Sequence, residues 1–212
     1  MASDTSKDSL NKQWMDQPFD LIYTTGVQSR TDIPRDHYAI TLARNMALGH
    51  NMILRGFNAI YNQCLSVTKG TAQAKDMLIF SQCMFSMLKS HHDMEEEHFF
   101  PLLENALEKP GLMAVNVQEH KDFEEALHQF QKYVFDTGPT DFDGKGLQSL
   151  IEGFRLLLQK HLHSEIATML DLHVADSKVL KNVWKRVAKE GLGPKDMYRT
   201  ERKLYTSVPY SG

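Results

Sequence analysis

Cysteine is scarce in this chain: Cys64 and Cys83 are the only two among 212 residues, too few for a disulfide scaffold or a zinc ribbon. A reducing compartment suits them. Charge of one sign is also missing. Lys plus Arg number 24 and Asp plus Glu 27, a net charge of -3, which excludes a nucleic acid or an anionic membrane recruited by bulk field. No run of 18 apolar residues occurs, so no membrane span is expected. The opening MASDTSKDSLNKQWMDQ has no apolar segment of signal-peptide type, and a cytoplasmic location is expected. There is no Gly-rich phosphate loop, no GxSxG and no CxxC, which leaves nucleotide, acyl-transfer and dithiol chemistry without support. With 42% hydrophobic and 24% charged residues the chain is neither disordered nor membranous in composition. Its length fits one domain with extensions.

What is present is helical periodicity. Residues 1–33 are polar and broken by Pro18, Gly26 and Pro34, with an apolar patch at Phe19, Leu21, Ile22 and Tyr23, and read as an irregular arm that packs on something later. From Pro34 to Cys64, apolar residues recur at three- and four-residue steps, predicting an amphipathic helix with Thr31 or Asp32 near its start. A second stripe runs from Phe80 to Phe99 and ends at Pro101, a third from Met113 to Val134, and a fourth from Gly146 to Leu172. Four rods of this length joined by short breaks predict an all-α fold, an antiparallel up-and-down four-helix bundle over 34–175. Residues 176–212 form a C-terminal extension. In it 177–190 predict a short fifth helix, with Val179, Leu180, Val183, Trp184 and Val187 on one side and Gly191 as its stop. From Lys178 to Lys203 nine basic residues face three acidic ones, either a solvated helix capping an acidic bundle or a basic anchor.

The chain has ten histidines, and the apolar stripes explain where four of them sit. His50 interrupts the first stripe, His91 and Glu95 the second, His120 and Glu124 the third, and His161 and Glu165 the fourth. The spacing HxxxE, present in three of these stripes, puts both side chains on one helix face one turn apart. Burying such groups unpaired would cost several kcal/mol each. Arg44, Arg55 and Lys160, the nearest cations, fall off the apolar faces, so a metal is the expected partner. Imidazole and carboxylate are ligands for iron or manganese, and seven of them suit two ions with bridging carboxylates better than one tetrahedral zinc. His92 and His98 flank the second stripe, and Glu95 with His98 spells the ferritin-type ExxH, but Thr168 stands where the fourth helix would need its counterpart. His128, one turn past Glu124, reads as a surface residue or as a group beside a ligand or substrate, and His37, His163 and His173 as surface residues. Asp141, Asp143, Gly146 and Glu152 fall at EF-hand positions, yet Lys145 at position 5 argues for a turn capped by Asp141 or Asp143.

HNMILRGFNAIY from His50, HHDMEEEHFFPLLE from His91, EHKDFEEALHQF from Glu119 and KHLHSEIATML from Lys160 resemble the hemerythrin-like (HHE cation-binding) domain, most of all its intracellular fungal versions. The likeness spans about 35–175, and the HxxxEE-then-FP block is its most specific part. It implies a bundle holding a non-haem di-iron centre that meets dioxygen, with His50, His91, Glu95, His120, His161 and Glu165 at family ligand positions. Two iron ions, oxo- or hydroxo-bridged, are the implied cofactor, with manganese as the alternative. Oxygen-carrying members place a further histidine where Glu124 stands. A carboxylate there either adds negative charge and favours oxidation over carriage, or turns away and leaves a coordination position open. The expected activity is an oxidase or oxygenase acting on a small organic molecule, with Glu124 or His128 handling protons. The other expectation is a protein that binds, stores or senses dioxygen or iron without catalysis.

Overall fold

The computed structural model describes residues 14–189, and among these there is no strand. Helix α1 spans Tyr38–Gln63, α2 Ala72–Met94, α3 Phe100–Leu107, α4 Ala114–Asp136, α5 Gly144–Asp171 and α6 Ser177–Lys189. Between α2 and α3 the chain makes a five-residue π turn, Glu95–Phe99, in which the Phe100 N–H reaches back to the Glu95 carbonyl. The second rod of the bundle is therefore α2, the π turn and α3 together. It does not stop at Pro101, as its sequence predicted, because that proline falls in the first turn of α3, where a missing N–H is tolerated. The neighbours around the bundle are α1, α2, α4 and α5, closing again on α1.

Local chemistry sets the ends of the rods. His37 caps α1, its Nδ1 accepting the Ala39 N–H at 3.2 Å, so the helix starts four residues later than Pro34 suggested. Thr71 caps α2 and Asp143 caps α5, the latter accepting the Lys145 N–H at 3.0 Å; the EF-hand-like run is a helix start. Close approach needs two glycines. A Cβ on Gly56 would strike Met84 where α1 meets α2, and one on Gly144 would strike the Cys64 carbonyl where α5 leaves the end of α1.

One layer of the core is aromatic. Phe57, Phe130 and Phe154, all fully buried, meet edge to face with ring centroids 5.4 to 5.7 Å apart, and Phe19 of the arm adds a fourth ring. The arm runs antiparallel to α1. Asn58 holds it at both backbone polarities, accepting the Phe19 N–H at 2.7 Å and donating to the Met15 and Phe19 carbonyls, each at 2.9 Å. Asn51 likewise pairs with both backbone groups of Ile22, and Arg55 reaches Asp16. On the α5 side Gln159 and His163 bind the Asp20 backbone, so the arm lies in the α1–α5 groove. The fifth helix, α6, packs Leu180, Val183 and Val187 onto α1, α3 and the π turn, with Trp184 against Phe99 at 5.8 Å. That is a docked helix, and its basic face points outward. The expected stop at Gly191 and the remainder of the basic stretch lie outside the described residues.

Candidate metal centre

About two helical turns along the core from the aromatic layer, the stripes carry ionisable groups. His50, Glu95, His161 and Glu165 are wholly buried, His92 and His120 nearly so, and only His91 is partly exposed, its side chain at 12%. These seven fall into two groups whose donor atoms lie within 4.8 Å of one another: His50, His91, Glu95 and Glu165, and His92, Glu95, His120 and His161. Glu95 belongs to both. One of its oxygens lies 3.1 Å from His91 Nε2 and the other 3.7 Å from His120 Nε2, so this carboxylate spans the two halves. Glu165 Oε2 stands 3.3 Å from His50 Nε2 and 3.9 Å from His161 Nε2.

Braces behind the rings fix which nitrogen faces inward. His50 Nδ1 donates to the Leu162 carbonyl at 2.7 Å, His120 Nδ1 to Glu96 at 2.6 Å, and His161 Nδ1 to Glu119 at 3.3 Å. The arrangement repeats around the bundle. Each brace is the chain neighbour of a residue in the cluster on the adjacent element: Glu96 follows Glu95, Glu119 precedes His120, and Leu162 follows His161. With its Nδ1 proton committed, a neutral imidazole presents a bare lone pair at Nε2. The Nε2 atoms of His120 and His161 nevertheless face each other at 2.9 Å. Two lone pairs at such a distance repel unless a positive charge lies between or beside them.

Burial makes the need sharper. It drives His50 and His91 down to about 3 and His161 to about 2, with His92 also well below the usual imidazole range, so these rings are neutral at pH 7. The same burial pushes Glu165 up to about 7 and, together with the Glu165 charge, holds Glu95 well above the ordinary carboxylate range. Both oxygens of Glu95, both of Glu165, and His92 Nε2 have no hydrogen-bond partner. Buried polar atoms without partners are rare and costly, and five in one cluster fit a set of ligands for hard or borderline divalent ions. Oxygen and nitrogen donors without sulfur match iron and manganese equally well.

Two residues expected in the site stand outside it. Glu124 and His128 are exposed and belong to neither group. The inward line of α4 is Asn116, His120, Phe123, Leu127, Phe130 and Val134. At roughly 100° per residue, Glu124 lies about 80° from the mean direction of that line. The i+4 step from His120 points to Glu124, but Phe123 at i+3 is the residue that turns in. Conversely, His92 belongs to the cluster although in the sequence it flanks the stripe that runs through His91. Its signal was available, since Leu88, His92, Glu95 and Phe99 keep a four-three-four step and are all buried. Of the other histidines, His37, His163 and His173 are half-buried. His37 Nε2 donates to the Ala175 carbonyl at 3.0 Å and His163 Nε2 to that of Asp20 at 2.8 Å, which fastens the terminal segments.

A four-helix bundle with an inward ring of imidazoles and shared carboxylates defines a class of non-haem metal-binding helical proteins. Residues 41–172 match the sequence model of the hemerythrin HHE cation-binding domain, and the chain belongs to that family. A curated relative, the dimeric xanthone biosynthesis cluster protein R11 of Cryptosporiopsis sp. (strain 8999), is 33% identical over 174 residues, or 82% of this chain. The aligned part is 65% of that relative's own length. No solved structure matches the chain.

Proposed function

We propose that this protein holds two iron ions in its His/Glu cluster and uses them to activate dioxygen for the oxidation of a small organic molecule. The observation that carries the proposal is the pair His120 and His161. Their Nε2 lone pairs point at each other at 2.9 Å while both Nδ1 protons are given to carboxylates, an arrangement that a cation makes favourable. One ion would take His50, His91 and Glu165, the other His92, His120 and His161, with Glu95 shared. Ferrous ions bound there would supply electrons for dioxygen reduction. The chain contributes orientation through Glu96, Glu119 and the Leu162 carbonyl. It excludes water on one side by laying the arm over the α1–α5 groove. Membership of a relative in a biosynthesis cluster, by its printed name, supports an enzyme.

A non-enzymatic role in binding, storing or sensing dioxygen or iron is favoured by one specific observation: the residues expected to handle protons, Glu124 and His128, stand exposed outside the cluster. The two readings separate in one experiment. The metal-free protein is loaded with ferrous iron under anaerobic conditions, oxygen is admitted, and the visible spectrum is followed. Irreversible oxidation coupled to loss of an added organic substrate is the expected result. Colour that fades under vacuum would favour carriage. Purified protein with neither iron nor manganese, and no uptake of either, would overturn both.

A further inference from the structure

The two halves of the cluster differ in how their negative charge is arranged. Around His50 and His91 two carboxylates, Glu95 and Glu165, complete the donor group; around His92, His120 and His161 only the shared Glu95 does. The ring behind the donors reverses this order. His50 is braced by a neutral carbonyl, whereas His120 and His161 are each braced by a carboxylate. Glu96 comes from the π turn, which lets two consecutive residues divide the work, Glu95 buried among the imidazoles and Glu96 half-exposed behind His120. Glu119 is fixed in its turn: Ser164 Oγ donates to its Oε2 at 2.9 Å, and Lys160 Nζ lies 3.5 Å from its Oε1. The carboxylate missing from the inner ring of the histidine-rich half is thus supplied one layer further out.

We propose that Glu96 and Glu119 are positioning residues for the histidine-rich half, accepting the Nδ1 protons of His120 and His161 and so keeping both Nε2 lone pairs turned to the second ion. This rests on the two-ion reading above. It adds that the second ion's affinity depends on residues that touch no metal. Losing an acceptor behind a ligating imidazole frees the ring to rotate or change tautomer, at a cost of about 10- to 100-fold in metal affinity.

The test is an anaerobic titration of the metal-free full chain with ferrous iron, repeated with cobalt(II) as a coloured probe, on the parent, E96A, E119A, E96Q and E119Q. Glutamine retains an acceptor oxygen and removes the charge. The expected result is one tight equivalent in every protein. The second equivalent is weakened about 10- to 100-fold in the two alanine variants and restored to within a few-fold of the parent in the two glutamine variants. The cobalt spectrum of the second equivalent should change in the alanine variants alone. Glu96 is half-exposed, so its variants are expected to fold, and thermal melts of the metal-free proteins check all four. Two tight equivalents in the alanine variants would overturn the proposal, as would glutamine variants as weak as the alanines. A parent that binds no metal would instead overturn the two-ion reading itself.

Discussion

His50 and Phe57 occupy equivalent positions on α1, seven residues apart, and so do Phe154 and His161 on α5. Helical geometry treats the members of each pair alike: all four face the core, on layers about 10 Å apart, and all four are fully buried. Their energetics differ completely. The phenylalanine layer closes on itself through edge-to-face contacts and asks for nothing else. The histidine layer, equally dry, has carboxylate oxygens without donors and lone pairs opposed to lone pairs. Periodicity decides what is buried, but side-chain chemistry decides whether a buried layer is complete in itself.

The largest expected break in this comparison is removal of metal. Each ion bound at a thousandfold excess over its dissociation constant stabilises the fold by about 4 kcal/mol, so chelation should lower the melting temperature strongly. The metal-free protein should also acquire a pH optimum. Neutral-held imidazoles with pKa values near 2 to 3 take up fewer protons than the unfolded chain below 6.5, so stability falls as pH drops through that value. Glu165, held at about 7, and Glu95, also raised, keep protons that the unfolded chain has lost above 4.5, so stability falls as pH rises from there through 7. The imidazoles outnumber the carboxylates, which places the maximum near pH 6.5. Melts of loaded and chelated protein from pH 5 to 8 should show the loss above 6.5 in the chelated protein only.

Next in size is Phe154→Ala, expected to cost about 3 to 5 kcal/mol by the same amount with and without metal, which denaturant titration of both forms would check. A metal-dependent cost would mean the two layers are not separable. Asn58→Ala leaves the arm's Phe19 N–H and two carbonyls without a partner, for about 1 to 3 kcal/mol. It should also speed chelator access to the site, measured as the rate of iron loss. Smallest are Glu124→Ala and His128→Ala, each within about 0.5 kcal/mol of the parent and unchanged in metal stoichiometry. A lost equivalent in either would put α4 in the wrong rotation.

The stripes were legible from three- and four-residue steps, and with them the bundle, the docked face of α6 and six of the seven clustered residues. What was not legible depends on choices that periodicity leaves open. From His120 both Phe123 and Glu124 lie near one face, and the choice between them depends on where α4 sits against its neighbours. His91 and His92 compete in the same way, and both are brought to the cluster just before the π turn, a five-residue widening with no signature of its own in the residue pattern. Pro101 looked like an end because the turn before it was invisible. The arm's target was unreadable for another reason: Asn51 and Asn58 look like ordinary polar residues on α1 until the backbone they bind is laid beside them.

The shared supports behind the imidazoles tie quantities that are usually independent. Because Glu96, Glu119 and Leu162 are immediate chain neighbours of Glu95, His120 and His161, a rotation of the second rod, α4 or α5 displaces a donor and, in the same movement, the prop of the next rod's donor. Slack in the second rod is passed on through α4 and α5 to His50 on α1. A substitution that lets α5 roll should therefore be felt in both donor groups together, through His161 in one and through the Leu162 prop of His50 in the other, even when it lies far from either.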